Sequence, residues 1–430
     1  MGEVVIRWNF KQVSLGVVIF VSALLLATSP LVAQTTLEYW IWDNNQLPAV
    51  QQIIEAFESE YPNIKVNVSV VGWGEYWEKT VVAILGGSGP DVFWMTMYDV
   101  ISWIERGLIE DLTARIDSDP IASQHFAEMW PILTEAYTYK GRIWGMPRDF
   151  DSIAVVYNTN YVAEAGLPDL SAIDDHWTTD DYVDYARRMT IRSGDQVQRW
   201  GAIVSGSIQE GYGNFVRTFG GEFFNEERTA MIVDSAASRE AIQYLYELIH
   251  VHQVAPLGDL DIFHQNQAAM IPIGNWNLRW TRQLVPQTEV AQLPLASRTG
   301  QRSSMVHGLA DVINPYSENK DAAFEFIKFL SSYAAHEILG STGTVIPSRQ
   351  DASLLYFAAD VLPGTSTAYL EAINYGAIYP STPYLARNQW EPILSSAVQR
   401  ALNGEVPVEE ALSTAQAQIN SLISENMKKE

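Results

Sequence analysis

A change of hydrophobic period along residues 37–95 constrains the fold more than any other feature. LEYWIW at 37–42 is an aromatic-rich run that predicts a strand. Val50, Ile53, Ile54, Phe57 and Tyr61 then recur at i, i+3, i+4, i+7 and i+11, one face of a helix that Pro48 opens and Pro62 ends. Ile64, Val66, Val68 and Val70 alternate with polar residues as a second strand. Trp77, Val81, Ile84 and Leu85 mark a second helix, which GGSGP at 86–90 closes before a third strand at 91–95. Strand–helix–strand–helix–strand in so short a span predicts an α/β unit with a parallel sheet. Ligands of such sheets bind beyond the carboxyl ends of the strands. Here those ends are residues 42–45, 72–76 and 96–99.

A second landmark divides the chain. GRIWGMPRDFDSIAVVYNT at 141–159 contains a turn signal at Lys140-Gly141, the rigid Pro147, the acids Asp149 and Asp151, and a strand through Ile153, Val155 and Tyr157. It reads as a crossing between two lobes with a ligand cleft beside it. Beyond it, TTDD at 178–181 opens a helix with a capping-box pattern. Residues 235–251 and 320–332 follow as amphipathic helices, and 390–402 and 408–423 as closing ones. Residues 200–205, 268–273, 292–295 and 306–312 are strand-like.

The chain has 430 residues, long enough for two or three domains, and its 47% hydrophobic and 18% charged content is that of a globular protein. A net charge of -24 opposes nucleic acid and anionic membrane as partners. The absence of cysteine removes disulfides, thiolate metal sites, a Cys nucleophile and a lipid-modified Cys anchor. Arg7 and Lys11 followed by an apolar run at 13–27 predict a secretory signal peptide over residues 1–33, cut near Ala33; the alternative is an uncleaved anchor. Losing Arg7, Lys11 and Glu3 with it takes the net charge from -24 to -25.

Tryptophans at element ends are the first chemical signal: Trp40, Trp42, Trp73, Trp276, Trp280 and Trp390. Flat aromatic faces fit the C–H faces of sugar rings, while nearby amides and carboxylates bond the hydroxyls. Trp40, inside a strand, reads as core. Trp276, after Gly274, and Trp390, after Arg387, fit core packing and ligand stacking equally well. Asp99, Asp149 and Asp151 stand at strand ends. Such acids serve as hydroxyl acceptors in a binder or as a pair across the bond in a glycosidase. Arg148, Arg279 and Arg349 would be needed for a phosphorylated solute. His250 and His252 point apart on a helix end, against metal binding. No nucleophile, zinc or phosphate-loop motif occurs, and no cofactor or metal is expected.

In their order, these features resemble the extracellular solute-binding proteins that deliver sugars to ABC importers, the group that includes maltose-binding protein. The resemblance covers the chain after the leader. It rests on Phe57 with YPNIKV at 61–66, GPDV at 89–92, GLIEDL at 107–112, GRIWGMP at 141–147 with VYN at 156–158, WTTDDY at 177–182, AAM at 268–270 with GNW at 274–276, and SENK at 317–320 with AFEFI at 323–327. It implies an α/β, two-lobe fold of type II with discontinuous lobes, 34–150 with 307–349 and 151–306 with 350–430, closing by hinge bending. The implied function is capture of a sugar or oligosaccharide for a membrane permease, by a monomer without catalysis, in the periplasm or outside the cell. Two alternatives stay open: a binder of a glycerol phosphodiester or other phosphorylated solute, and a secreted glycosidase. By position, the resemblance implies ligand contacts from Trp42, Asp43, Asn44, Tyr98, Asp99, Asp151, Trp276, Arg349 and Trp390, with His307 and Gly308 at a later crossing. Met95 departs from the pattern, which has a stacking tryptophan there.

Overall fold

A computed structural model describes residues 1–2, 34–359 and 367–428. The expected leader and its cleavage point therefore lie outside the described residues. The first lobe opens with β1 (Thr35–Ile41), α1 (Leu47–Glu60), β2 (Ile64–Val70), α2 (Trp73–Leu85) and β3 (Val92–Thr96). β1 pairs in parallel with both β2 and β3. α1 buries Ala49, Val50, Ile53, Ile54 and Phe57, the face its spacing predicts. α2 departs from expectation: it buries Tyr76, Thr80 and Ile84, and Leu85 is exposed. Residues one apart differ by about 100° on a helix, so the inward stripe is turned by one position.

The chain then forms β4 (Met146–Asp151) and β5 (Ile153–Asn158) with only Ser152 between them. α3 (Thr179–Met189) begins with a reciprocal capping box, Thr178 accepting from the Asp181 backbone and Asp181 from that of Thr178. α4 (Ala236–His250), β6 (Met270–Gly274), α5 (Leu278–Leu284), β7 (Thr288–Ala291), β8 (Ser304–Ile313), β9 (Ile346–Pro347), β10 (Gly376–Ile378), α6 (Arg387–Leu402) and α7 (Val408–Met427) complete the elements that matter for the site.

These strands fall into two main sheets. The larger runs β9-β4-β8-β3-β1-β2, with β10 paired to β8; the smaller is β6-β5-β7 and is antiparallel. β4 belongs to the first and β5 to the second, so the single residue Ser152 carries the chain across. Its N–H donates to Asn275 Oδ1 (3.0 Å) and its hydroxyl to the Tyr369 carbonyl (2.7 Å). The long strand β8 makes the return crossing. At one end Ser304 Oγ accepts from the Ile153 N–H (2.8 Å), and further along β8 pairs with β4 and β3.

Two core clusters form, a smaller one within the first lobe and a larger one that runs from the first lobe into the second. In β3, Val92 and Trp94 pack into the first-lobe core, while Phe93 and Met95 face the other, larger one. A strand covered on both faces is apolar throughout, which explains its unbroken VFWM run. Two expected strands do not form. Residues 200–205 and 292–295 make only isolated bridges, Trp200 to Ala268, Val204 to Leu257 and Leu295 to Thr178. The Gly201 and Ala202 N–H groups both turn to the Val254 carbonyl, so no continuous ladder is left.

Candidate functional site: the interlobe cleft

A cleft of about 830 Å³ opens between the two sheets. The first lobe supplies the three loops beyond β1, β2 and β3, through Trp42, Asp43, Asn45, Trp73, Thr96 and Tyr98. β1, β2 and β3 run parallel and so end at the same edge of the sheet, where their following loops converge. Trp42 is fixed by four other rings: Trp73, Tyr76, Trp77 and Trp94, at centroid distances of 5.2, 4.9, 5.5 and 5.0 Å. Asp43 accepts from the Asn45 N–H (2.9 Å) and from Gln46 Nε2 (3.4 Å). Gln46 in turn accepts from Arg148 Nη1 (2.6 Å), which is buried and ion-paired with Asp149.

The opposite wall comes from β6 and α5. Gly274 ends β6, and a Cβ there would lie 1.9 Å from Cζ3 of Trp276. Glycine thus lets the indole fold back over its own backbone. Glu210 holds the turn, accepting from the Gly274 N–H (3.3 Å) and Asn277 Nδ2 (3.1 Å), and its burial raises its carboxyl pKa. Trp276, Arg279, Trp280 and Gln283 then line the cleft at i, i+3, i+4 and i+7.

The floor is the crossing itself. Asp151 at the end of β4 lies opposite His307 on β8. Its Oδ1 accepts from Asn275 Nδ2 (2.7 Å). Burial, with the neighbouring Asp149 charge, pushes its carboxyl up to about 8. Burial pushes His307 down to about 3, helped by the positive charge of Arg387. The floor is therefore a neutral imidazole beside a carboxyl that holds its proton easily, and it attracts anions weakly.

Of the residues anticipated from sequence, Trp42, Asp43, Tyr98, Asp151 and Trp276 meet at the cleft. Four do not line it, and each has a structural reason. Asn44 is exposed in the turn that Asp43 closes, and Asn45 takes the cleft position. Asp99 is buried beneath the loop, where it accepts from the Arg387 N–H (3.4 Å); burial raises it to about 6. Arg349 is buried away from the cleft between Glu128 (2.6 Å) and Asp351 (2.8 Å). Trp390 is fully buried against Phe224, on the α6 face that also carries Leu394, Val398 and Ala401. The ARNQ run before it is the helix start, not a loop.

Sequence reasoning passed over Asn275, Asn277, Gln283 and Thr344, which also line the cleft. Residues 276–283 carried a legible signal: a helical stripe with aromatic and cationic members instead of aliphatic ones. Among the described residues no group of His, Asp and Glu is placed to hold a metal ion, and His250 Nε2 bonds the Leu402 carbonyl (2.8 Å).

The model of the bacterial extracellular solute-binding protein family matches residues 43–337. The chain belongs to that family. Within it, this solute-binding protein is 24% identical over 303 residues to the maltotriose-binding protein of Pyrococcus abyssi, covering 68% of this chain and 62% of that one. The aligned part thus spans less than two thirds of that relative. It is 21% identical over 337 residues to the arabinooligosaccharide-binding protein of Halalkalibacterium halodurans, covering 74% and 72%. An ABC substrate-binding protein of Listeria monocytogenes, solved with cycloalternan, superposes with a TM-score of 0.76 at 24% identity over 91% of this chain and 99% of the other. That likeness shows the two-lobe α/β fold. Family members bind solutes and are not enzymes. No helix among the described residues of this solute-binding protein is long and apolar enough to cross a membrane.

Proposed function

We propose that this solute-binding protein captures a sugar or oligosaccharide in the interlobe cleft and delivers it to the membrane permease of an ABC importer. The observation that carries the reading is the composition of the walls. Trp42 and Trp73 on one side and Trp276 and Trp280 on the other offer flat apolar faces, with Asp43, Asp151 and Asn275 between them as hydroxyl partners. The names of the relatives point the same way. A phosphorylated solute would need converging cations. Arg148 and Arg349 are buried in ion pairs, and Arg279 is the one guanidinium among the described residues lining the cleft. Family membership speaks against the glycosidase reading.

The lobes in this reading are 34–150 with 307–349 and 151–306 with 350–430, bending at Ser152 and along β8. The protein acts as a monomer, exported through a leader cut near Ala33. The test is intrinsic tryptophan fluorescence of the protein without residues 1–33, titrated with a panel of mono- and oligosaccharides and glycerol phosphates. Saturable change with one sugar class is the expected result. A response confined to the phosphorylated solutes would replace the reading with its rival.

A further inference from the structure

β4 carries an irregularity close to the crossing. Along its ladder with β8, Asp149 stands opposite Leu309 and Pro147 opposite Ala310, so Arg148 has no residue across from it. One extra residue on one strand is a β-bulge, which re-aims a side chain. Neighbours on a regular strand face opposite sides, yet Arg148 and Asp149 form an ion pair with each other. The re-aimed Arg148 is 3% exposed and lies over the Trp94 ring, 4.4 Å from its centre. Burial raises the Asp149 and Asp311 carboxyls, and Arg148 is a cation that pulls both back.

Serving as counter-ion to two buried acids explains the charge of Arg148. It does not explain why its Nη1 also donates to Gln46 Oε1 (2.6 Å). Gln46 is 5% exposed and stands between Arg148 and Asp43. A guanidinium has no acceptor, so Gln46 must turn its carbonyl oxygen toward it. The amide nitrogen is thereby left for Asp43, whose Oδ2 it meets at 3.4 Å. The Asn45 N–H holds the other oxygen at 2.9 Å. Both oxygens of a carboxylate that lines the cleft are thus oriented by neighbours. Trp94, under Arg148, meets Trp42 of the same wall edge-on at 5.0 Å.

We infer that Gln46 is a positioning residue of the cleft, locked by Arg148 so that its amide holds the Asp43 carboxylate in place as a hydroxyl acceptor, and that the bulge in β4 is what brings Arg148 to it. The inference rests on the sugar reading above and adds to it the two residues that orient Asp43.

Gln46→Glu tests it, because glutamate still accepts from Arg148 but has no N–H for Asp43 and repels it. Calorimetric titration uses the solute that the wild type binds among maltotriose, arabinotriose, lactose and glycerol 3-phosphate. The variant is expected to bind it about 10-fold more weakly. The deciding comparison makes the same change beside Asp43→Asn. There the polarity of the pair is reversed: the new amide donates and the new carboxylate accepts. On that background Gln46→Glu is expected to cost less than about 2-fold. An equal cost on both backgrounds would show that Gln46 serves only the start of α1, and would overturn the inference. Arg148→Lys probes the lock, since lysine keeps the charge beside the acids but not the planar fork. Its affinity is expected to fall about 5-fold, and an unchanged affinity would remove Arg148 from the arrangement. If glycerol 3-phosphate alone binds, the sugar reading fails, while the same comparison made with that solute still decides whether Gln46 orients Asp43. Binding of none of the four by the wild type would remove the sugar reading, and this inference with it.

Discussion

Two tryptophans with the same sequence credentials separate cleanly at the level of single residues. Trp276 is 37% exposed on the cleft wall and Trp390 is 0% exposed in the larger core. Trp276→Ala is expected to weaken sugar binding by about 1–3 kcal/mol in calorimetric titration, with the denaturation midpoint unchanged. Trp390→Ala is expected to cost about 3–5 kcal/mol of stability through the cavity it leaves. Denaturant titration of the two variants checks the contrast, and a stable Trp390→Ala protein would contradict its placement. Gly274→Ala belongs beside them. The added methyl has no room under the Trp276 ring, so the indole must swing away. Its affinity loss is expected to approach that of Trp276→Ala although the indole is still present.

Among elements, α3 offers the sharpest test, because its capping box is complete. Thr178 Oγ1 accepts from the Asp181 N–H (3.3 Å), and Asp181 Oδ2 accepts from the Thr178 N–H (2.8 Å). Thr178→Ala removes the first of these and is expected to cost about 1 kcal/mol in chemical denaturation. Sugar affinity should stay constant, since α3 contributes nothing to the cleft. The crossing strands behave differently. β4 joins β5 through one residue, and β8 runs from the Ser304 bond to Ile153 of β5 into the larger sheet, so displacement of either lobe is taken up by few backbone angles. Tyr98 in the first lobe lies under the Arg387 guanidinium at the start of α6, 4.8 Å from its ring centre, which ties the lobes beside the cleft.

For the whole molecule, ligand and proton linkage set the expectations. A sugar that binds only the folded state, at 100 times its dissociation constant, should add about 2.7 kcal/mol of stability, read as a rise in melting temperature. Protons act through the buried groups. Burial holds Asp311 at about 7, although Arg148 and the Tyr39 hydroxyl (2.6 Å) pull it down, and Asp151 at about 8. Both lie above the ordinary carboxylate value of about 4, so the folded state keeps protons that the unfolded state has released. These two groups therefore stabilise fully below pH 4, and their contribution is lost as pH rises through 7 and 8. His307 and His336, pushed down to about 3 by burial, act in the opposite sense below pH 6.5. Between pH 6.5 and 8 only the carboxyls remain, so the unliganded protein should melt at falling temperature across that window. Asp311→Asn keeps an acceptor for Tyr39 and should flatten the slope; an unchanged slope would assign it elsewhere.

Much of this architecture was legible before any coordinates, for reasons that are local. β1, α1, β2, α2 and β3 follow as elements from period and turn chemistry, and α1 buries the face its spacing defines, whereas the stripe of α2 is turned by one position. The three loops that reach the cleft follow from parallel pairing alone. The one-residue crossing at Ser152 lies within a stretch whose proline and acids already marked it. What the sequence could not decide depends on partners distant in the chain. Whether Trp390 faces ligand or core is set by Phe224, 166 positions earlier. Arg349 is drawn from the cleft by Glu128, and Asp99 by Arg387. The pairing of His307 with Asp151 exists only because β8 returns beside β4. Periodicity tells which residues share a face; only tertiary packing determines what that face meets, and the meeting of two lobes is what makes the site.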